Sequence, residues 1–173
     1  RVLFRSGEGD DLHRQFCPVP SIARLPSPGK GNPTGTSCRI NHRKMRTNGK
    51  VAIRQRDMSD CGPACIASVM AHYGMRISVA RIRQVAGTDK LGTSMWGMVR
   101  TLEKFDFETK GLKGSPEHLD KLPLPFIAHV EQACGAHHYI CVYGISGKHL
   151  RVMDPAEGKM RKWSHEDFRK KWS

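Results

Sequence analysis

The spacing of apolar residues changes once along this chain, near Pro125, and that change limits the folds open to it. Before it the step is helical. Ile66, Val69, Met70 and Tyr73 share one face of a helix predicted over 63–73, which Gly74 ends. Ser78 caps a second helix, VARIRQVA, closed by Gly87. Thr93 caps a third, with Met95, Val99 and Leu102 on one stripe. Ser115 and Pro116 start a short fourth, because proline is tolerated in a first turn. After Pro125 the step falls to two. Residues 125–130, 138–145, 149–154 and 159–163 read as strands, and Ser164 begins a last helical turn. VAIRQ at 51–55 reads as a short strand or extended lead-in. Helices first and antiparallel strands afterwards define an α+β domain.

Residues 1–50 show neither period. Pro18, Pro20, Pro26, Pro28 and Pro33 interrupt a run rich in Gly, Ser and Arg, which cannot bury enough apolar surface to order itself. The opening RVLFRS resembles translated adapter DNA. Residues 1–50 are therefore expected to be a disordered or artefactual leader, with a natural start near Met45, and 51–173 to be the folded domain. Cys17 and Cys38 receive no role.

The chain carries a net charge of +13. Residues 1–50 hold ten Lys and Arg against three Asp and Glu, and residues 51–173 hold nineteen against thirteen. The patterned part is only mildly basic, and no basic helix or aromatic-laced basic stripe marks nucleic-acid binding. No apolar run reaches the ~18 residues of a membrane span, and no secretory signal is legible at the N-terminus. The six cysteines are too sparse for a disulfide scaffold, so reduced thiols are expected.

One of those thiols stands out. In QRDMSDCGPACIASVMAHYG, Cys61 sits at the mouth of the first helix. Unpaired N–H groups and the helix dipole favour negative charge there, which lowers a thiol pKa and activates the sulfur. Three roles are open to it: buried structural thiol, metal ligand or nucleophile. A nucleophile needs a base, and the base an orienting group. The strands 138–144 and 148–154 flank the loop Ile145-Ser146-Gly147. A three-residue hairpin loop ending in left-handed glycine sets Gly144 against Lys148 and therefore His138 directly across from Asp154. A two-residue turn would instead set Asp154 opposite Tyr139. His137, the competing base, points to the other face. Taken alone, His138 and Asp154 also read as a structural pair at a sheet edge, and Asp154-Pro155 as an ordinary turn starter. With Cys61, the order Cys, His, Asp is that of papain-like cysteine proteases with Asp in place of Asn. Gln55 lies six residues before Cys61. On spacing alone it is a solvated polar residue, but an acyl-transfer site needs a donor to the oxyanion beside the nucleophile's own N–H.

Five stretches together resemble the peptidase C39 family: QRDMSDCGPACIASVMAHYG, DKLGTSMWGMVRTLEKFDFETKGL, LPLPFIAHV, HHYICVYGI and RVMDPAEGKMRKWSHEDF. That family is the N-terminal cytoplasmic peptidase domain of bacterial ABC transporters that export bacteriocins. The resemblance runs from about Val51 to Trp172. It implies a papain-like α+β fold with Cys61 as nucleophile, His138 as general base, Asp154 as orienting acid and Gln55 as oxyanion-hole amide. It implies cleavage after a double-glycine motif in the leader of a precursor peptide, with no cofactor. It also implies partner transmembrane and nucleotide-binding domains that this chain lacks, and a place on the cytoplasmic face of the inner membrane, the fragment itself being soluble. The leader peptide is expected to dock as an amphipathic helix. Tyr73, Met70 and Trp96 are candidates for its groove, although their spacing is that of core residues.

Two rivals remain on sequence grounds. Cys61 and Cys65, with Cys134, His137, His138 and Cys141, suggest zinc, but spacings of the C-x2-C type are absent, Cys65 is expected to face the core, and Cys141 points to the opposite strand face from His138. A non-catalytic leader-binding module of the same fold is the alternative function.

Overall fold

The computed structural model describes residues 2–5 and 51–172. Helices α1 (Cys61–His72), α2 (Val79–Ala86) and α3 (Met95–Lys104) follow one another in the chain. The described residues also form a six-stranded antiparallel sheet, of β1 (Val2–Arg5), which precedes the helices, and β2 (Thr109–Leu112), β3 (Phe126–Glu131), β4 (His137–Ile145), β5 (His149–Asp154) and β6 (Lys159–Ser164), which follow them. A 3-10 turn at Pro116–Lys121 precedes β3, and α4 (His165–Lys171) closes the chain. The strand order is β2-β1-β3-β4-β5-β6. This is the expected α+β arrangement.

Helix α1 is the central strut. Every residue from Cys61 to Ala71 is buried, so it has no solvent face. Gly62, Ala64, Ala67, Ser68 and Ala71 keep it slim enough to be surrounded. A Cβ at Gly62 would lie 3.0 Å from the Thr93 Cβ, so the residue after Cys61 has no room for a side chain. One side of the sheet packs Ile127, Tyr139, Cys141, Tyr143 and Met153 against the three helices. The other side packs Ala128, Val130, Ile140, Val142, Leu150 and Val152 under Phe168 of α4 and Leu119.

Several local expectations change. Ser94, not Thr93, caps α3, its Oγ accepting the Gly97 N–H at 3.0 Å. Thr93 is buried instead and its hydroxyl meets that of Thr88 at 2.6 Å. Among the described residues, 51–55 pair with no strand, and the Gln55 N–H donates to the Pro155 carbonyl at 2.9 Å. The fourth helix is a 3-10 turn. β2 went unseen because TKGL has no alternation to detect. Residues 1–50 were expected to hold no regular structure, yet Val2–Arg5 pairs with β2 on one side and β3 on the other. Four residues are too few to display a period, and main-chain pairing on both sides suffices to define a strand. The remaining expectations for residues 1–50, including Cys17, Cys38 and Met45, lie outside the described residues.

The hairpin register also differs. Ile145 pairs with Leu150 and Gly144 with Arg151, but beyond Tyr143 the pairing becomes Val142 with Val152 and Cys141 with Met153. Tyr143 is thus the extra residue of a β-bulge. Its carbonyl accepts from Arg151 Nη2 at 3.2 Å. Its hydroxyl donates to Ser68 Oγ on α1 at 2.6 Å, and Ser68 in turn donates to the Val51 carbonyl. The bulge decides which face Asp154 occupies. Without it, Asp154 would fall opposite Cys141 and face away from His138. With it, the register carried one residue further sets Asp154 against Ile140, one diagonal step from His138 and on its face. The direct opposition expected from the sequence is therefore replaced by a diagonal pair.

Candidate active site

The sequence delivers Cys61 as the first residue of α1, with Asp60 before it at the N-cap position. Asp60 makes no side-chain cap bond, so its carboxylate does not fill the helix mouth. The first helical bond runs from Ala64 N–H to the Asp60 carbonyl at 2.9 Å. Cys61 is 7% exposed and belongs to the helical side of the core.

His138 lies on β4, across from Val130, and is buried. Its Nε2 meets Asp154 Oδ1 at 2.9 Å. Cys61 hydrogen-bonds the same ring. Burial pulls the His138 pKa down; the hydrogen bonds to Asp154 and Cys61 outweigh it and raise the value to about 9. His138 therefore carries a proton at neutral pH. Burial likewise works against the Asp154 carboxylate, but His138, the Ala156 N–H and the Lys171 ammonium together hold it below its usual range. The Ala156 N–H donates to Oδ1 at 2.9 Å, the side-chain turn that an Asp-Pro step favours.

Gln55 reaches this corner by its main chain. Its N–H bond to the Pro155 carbonyl places it one residue from Asp154. Gly158 allows the approach: it adopts φ 66°, and a Cβ there would lie 2.6 Å from the Arg54 Cβ. The Gln55 side chain donates from Nε2 to the Asp57 carbonyl at 3.0 Å, while its buried Oε1 has no hydrogen-bond partner among the described residues. The structure thus brings Cys61, His138, Asp154 and the Gln55 backbone to one corner, where the mouth of α1 meets the β4 and β5 ends of the sheet.

The other candidates lie elsewhere. His137 is exposed and stacks on His129 at 4.9 Å. Cys65 is fully buried, and burial pushes its thiol well above the ordinary value. Cys141 Sγ donates to the Cys65 carbonyl at 3.4 Å inside the core, and Cys134 is exposed. Among the described residues no three His, Cys, Asp or Glu side chains converge as a metal site would require. Met70 is core, Tyr73 is half-buried against Phe107, and Trp96 is 55% exposed with the Arg100 guanidinium 5.8 Å over its ring. Sequence reasoning passed over Arg83. Its Nη1 lies 2.6 Å from both Asp57 and Asp60. A lone arginine in the last turn of α2 gives no sequence signal for this; only the fold brings it to the loop ahead of Cys61.

A protein from Lactococcus lactis subsp. lactis described as the lactococcin-G-processing and transport ATP-binding protein LagD is 41% identical over 126 residues. The match covers 72% of this chain but 18% of that protein, so the chain spans about a fifth of the relative's length. Among solved structures, the peptidase domain of Streptococcus ComA, a bifunctional ABC transporter involved in a quorum-sensing pathway, superposes with a TM-score of 0.65 at 37% identity, over 70% of this chain and 90% of that one. A double-glycine-motif protease from an AMS/PCAT transporter, solved in complex with its leader peptide, gives 0.64 at 27% identity, over 70% and 84%. The family model described as peptidase C39 matches residues 50–173, and the chain belongs to that family.

Proposed function

We propose that this chain is a cysteine endopeptidase that removes the leader of an exported precursor peptide after a double-glycine motif. The buried Nε2–Oδ1 bond between His138 and Asp154, with Cys61 on the same imidazole, carries the reading. A protonated His138 is the cationic partner that a thiolate needs. The Cys61 sulfur attacks the carbonyl carbon of the second glycine, and the C=O electron pair moves onto oxygen. The N–H groups at the mouth of α1 and the Gln55 amide stabilise that oxyanion. His138 gives its proton to the departing amine nitrogen as the C–N bond breaks. It then takes a proton from water as the hydroxide attacks the thioester; the C–S bond breaks, the leader acid leaves, and the thiolate and protonated His138 are restored. Asp154 keeps the ring oriented and supports its positive charge.

The relatives' names support a peptide-exporting ABC transporter as the setting, with this chain as the peptidase portion on the cytoplasmic side of the membrane. No helix among the described residues is long and apolar enough to cross a membrane. The test is cleavage of a synthetic precursor peptide bearing a Gly-Gly leader, followed by mass spectrometry. Cutting after the second glycine by the wild-type chain and none by Cys61→Ala supports the reading. Leader binding without cutting by the wild type replaces it with a non-catalytic module.

A further inference from the structure

The loop from Gln55 to Asp60 carries one proposed oxyanion donor and ends at the nucleophile, yet it belongs to no helix or strand. Its restraints are few and they converge. The Asp57 carbonyl accepts from the Gln55 amide at 3.0 Å and from the Asp60 N–H at 3.2 Å. Asp57 Oδ1 accepts from the Ser59 N–H at 2.9 Å and the Ser59 hydroxyl at 2.7 Å. The remaining Asp57 oxygen and Asp60 Oδ1 both accept from Arg83 Nη1, each at 2.6 Å. One guanidinium nitrogen has two hydrogens, so it serves both carboxylates at once. The Asp60 side chain is 4% exposed, and Arg83 is the ion-pair partner that neutralises it. The Asp60 carboxylate makes this contact and no side-chain cap bond to α1.

We propose that Arg83 is a positioning residue of the active site: through Asp57 and Asp60 it fixes the loop that aims the Gln55 amide and sets the Cys61 N–H at the oxyanion position. Its hydrogen bonds go to Asp57 and Asp60, so it acts on the developing oxyanion through the loop and leaves the nucleophile's ionisation alone. The inference rests on the peptidase reading above.

Two reactions of the same sulfur separate these effects. Alkylation by iodoacetamide needs the thiolate but no oxyanion hole, whereas amide cleavage needs both. Arg83→Met is expected to lower kcat on a fluorogenic amide of a Gly-Gly leader peptide by at least about tenfold. KM should stay within about twofold, and the pH profile of Cys61 alkylation should match the wild type. Arg83→Lys should recover part of the loss, since an ammonium reaches one carboxylate without bridging two. Asp57→Ala removes the 54%-exposed carboxylate and leaves the buried Arg83–Asp60 pair, so it tests the loop even if Arg83→Met does not fold. It should lower kcat a few-fold, again with unchanged alkylation. Unchanged kcat in the folded variants, or alkylation that slows in parallel with kcat, overturns the inference. A wild-type chain that cleaves no Gly-Gly peptide overturns the peptidase reading and this inference with it. Wild-type turnover matched by the variants overturns this inference alone.

Discussion

His138 is buried, and its pKa is nonetheless raised to about 9. Burial works against the charge, and Asp154 is the first of the groups that overcome it. Moving a histidine from 6.5 to about 9 corresponds to roughly 3 kcal/mol of preference for the cation. Because the folded value is raised, this stabilisation is complete below pH 6.5 and disappears as pH climbs through 9. Asp154 runs the other way: its contribution is present above its ordinary 3.8 and is lost as pH falls through its lowered value. Asp154→Asn should therefore move the alkaline limb of kcat/KM from near 9 towards 6.5. The Tm gap to wild type should be widest at mildly acidic pH and narrow above 9. An unchanged alkaline limb would assign that limb to another group. Gln55→Ala should cost about 10²–10³ in kcat with little change in KM, measured on a Gly-Gly leader peptide. At this scale the sequence was legible where chemistry restricts residue choice: a cysteine at a helix mouth, and a histidine and an aspartate of matching parity. Arg83 was illegible because its role comes from where α2 sits, and no local pattern encodes that.

Among the elements, the β4–β5 hairpin shows how a correct conclusion can rest on a wrong register. His138 and Asp154 were expected to face one another through a short loop, and they do share a face, but the loop is not what arranges it. The bulge at Tyr143 does, and nothing in HYICVYGI announces a bulge. The helices were easier, since Ser78 and Gly87 bracket α2 with ordinary cap chemistry. For 51–55 the composition left a short strand and an extended lead-in both open, and among the described residues no strand pairs with it. Its position depends on Gly158, which combines a left-handed φ with a close approach to Arg54. Gly158→Ala should destabilise the chain by about 1–3 kcal/mol, read as a drop in the urea midpoint. It should also lower kcat, because Arg54 adjoins Gln55. A loss of stability without a loss of kcat would separate the turn from the site.

At the scale of the molecule, one sheet is covered on both sides, by three helices on one and by α4 on the other. Phe168 is fully buried and anchors the second cover, with the Trp172 ring 5.4 Å away. Phe168→Ala should cost about 3–5 kcal/mol, seen as a lower Tm, while the helical layer keeps its contacts. The edge strand β6 presents exposed Lys159, Arg161 and Lys162, which discourages pairing with another chain. Gln55 and Cys61 come from the part of the chain before β2, His138 and Asp154 from the part after it. Neither part holds a complete set of reacting groups. Cut between Lys104 and Thr109, the protein would become a two-piece reporter. Each piece would be silent alone, and turnover would appear only when helices and sheet find one another, so catalysis would count correctly assembled molecules.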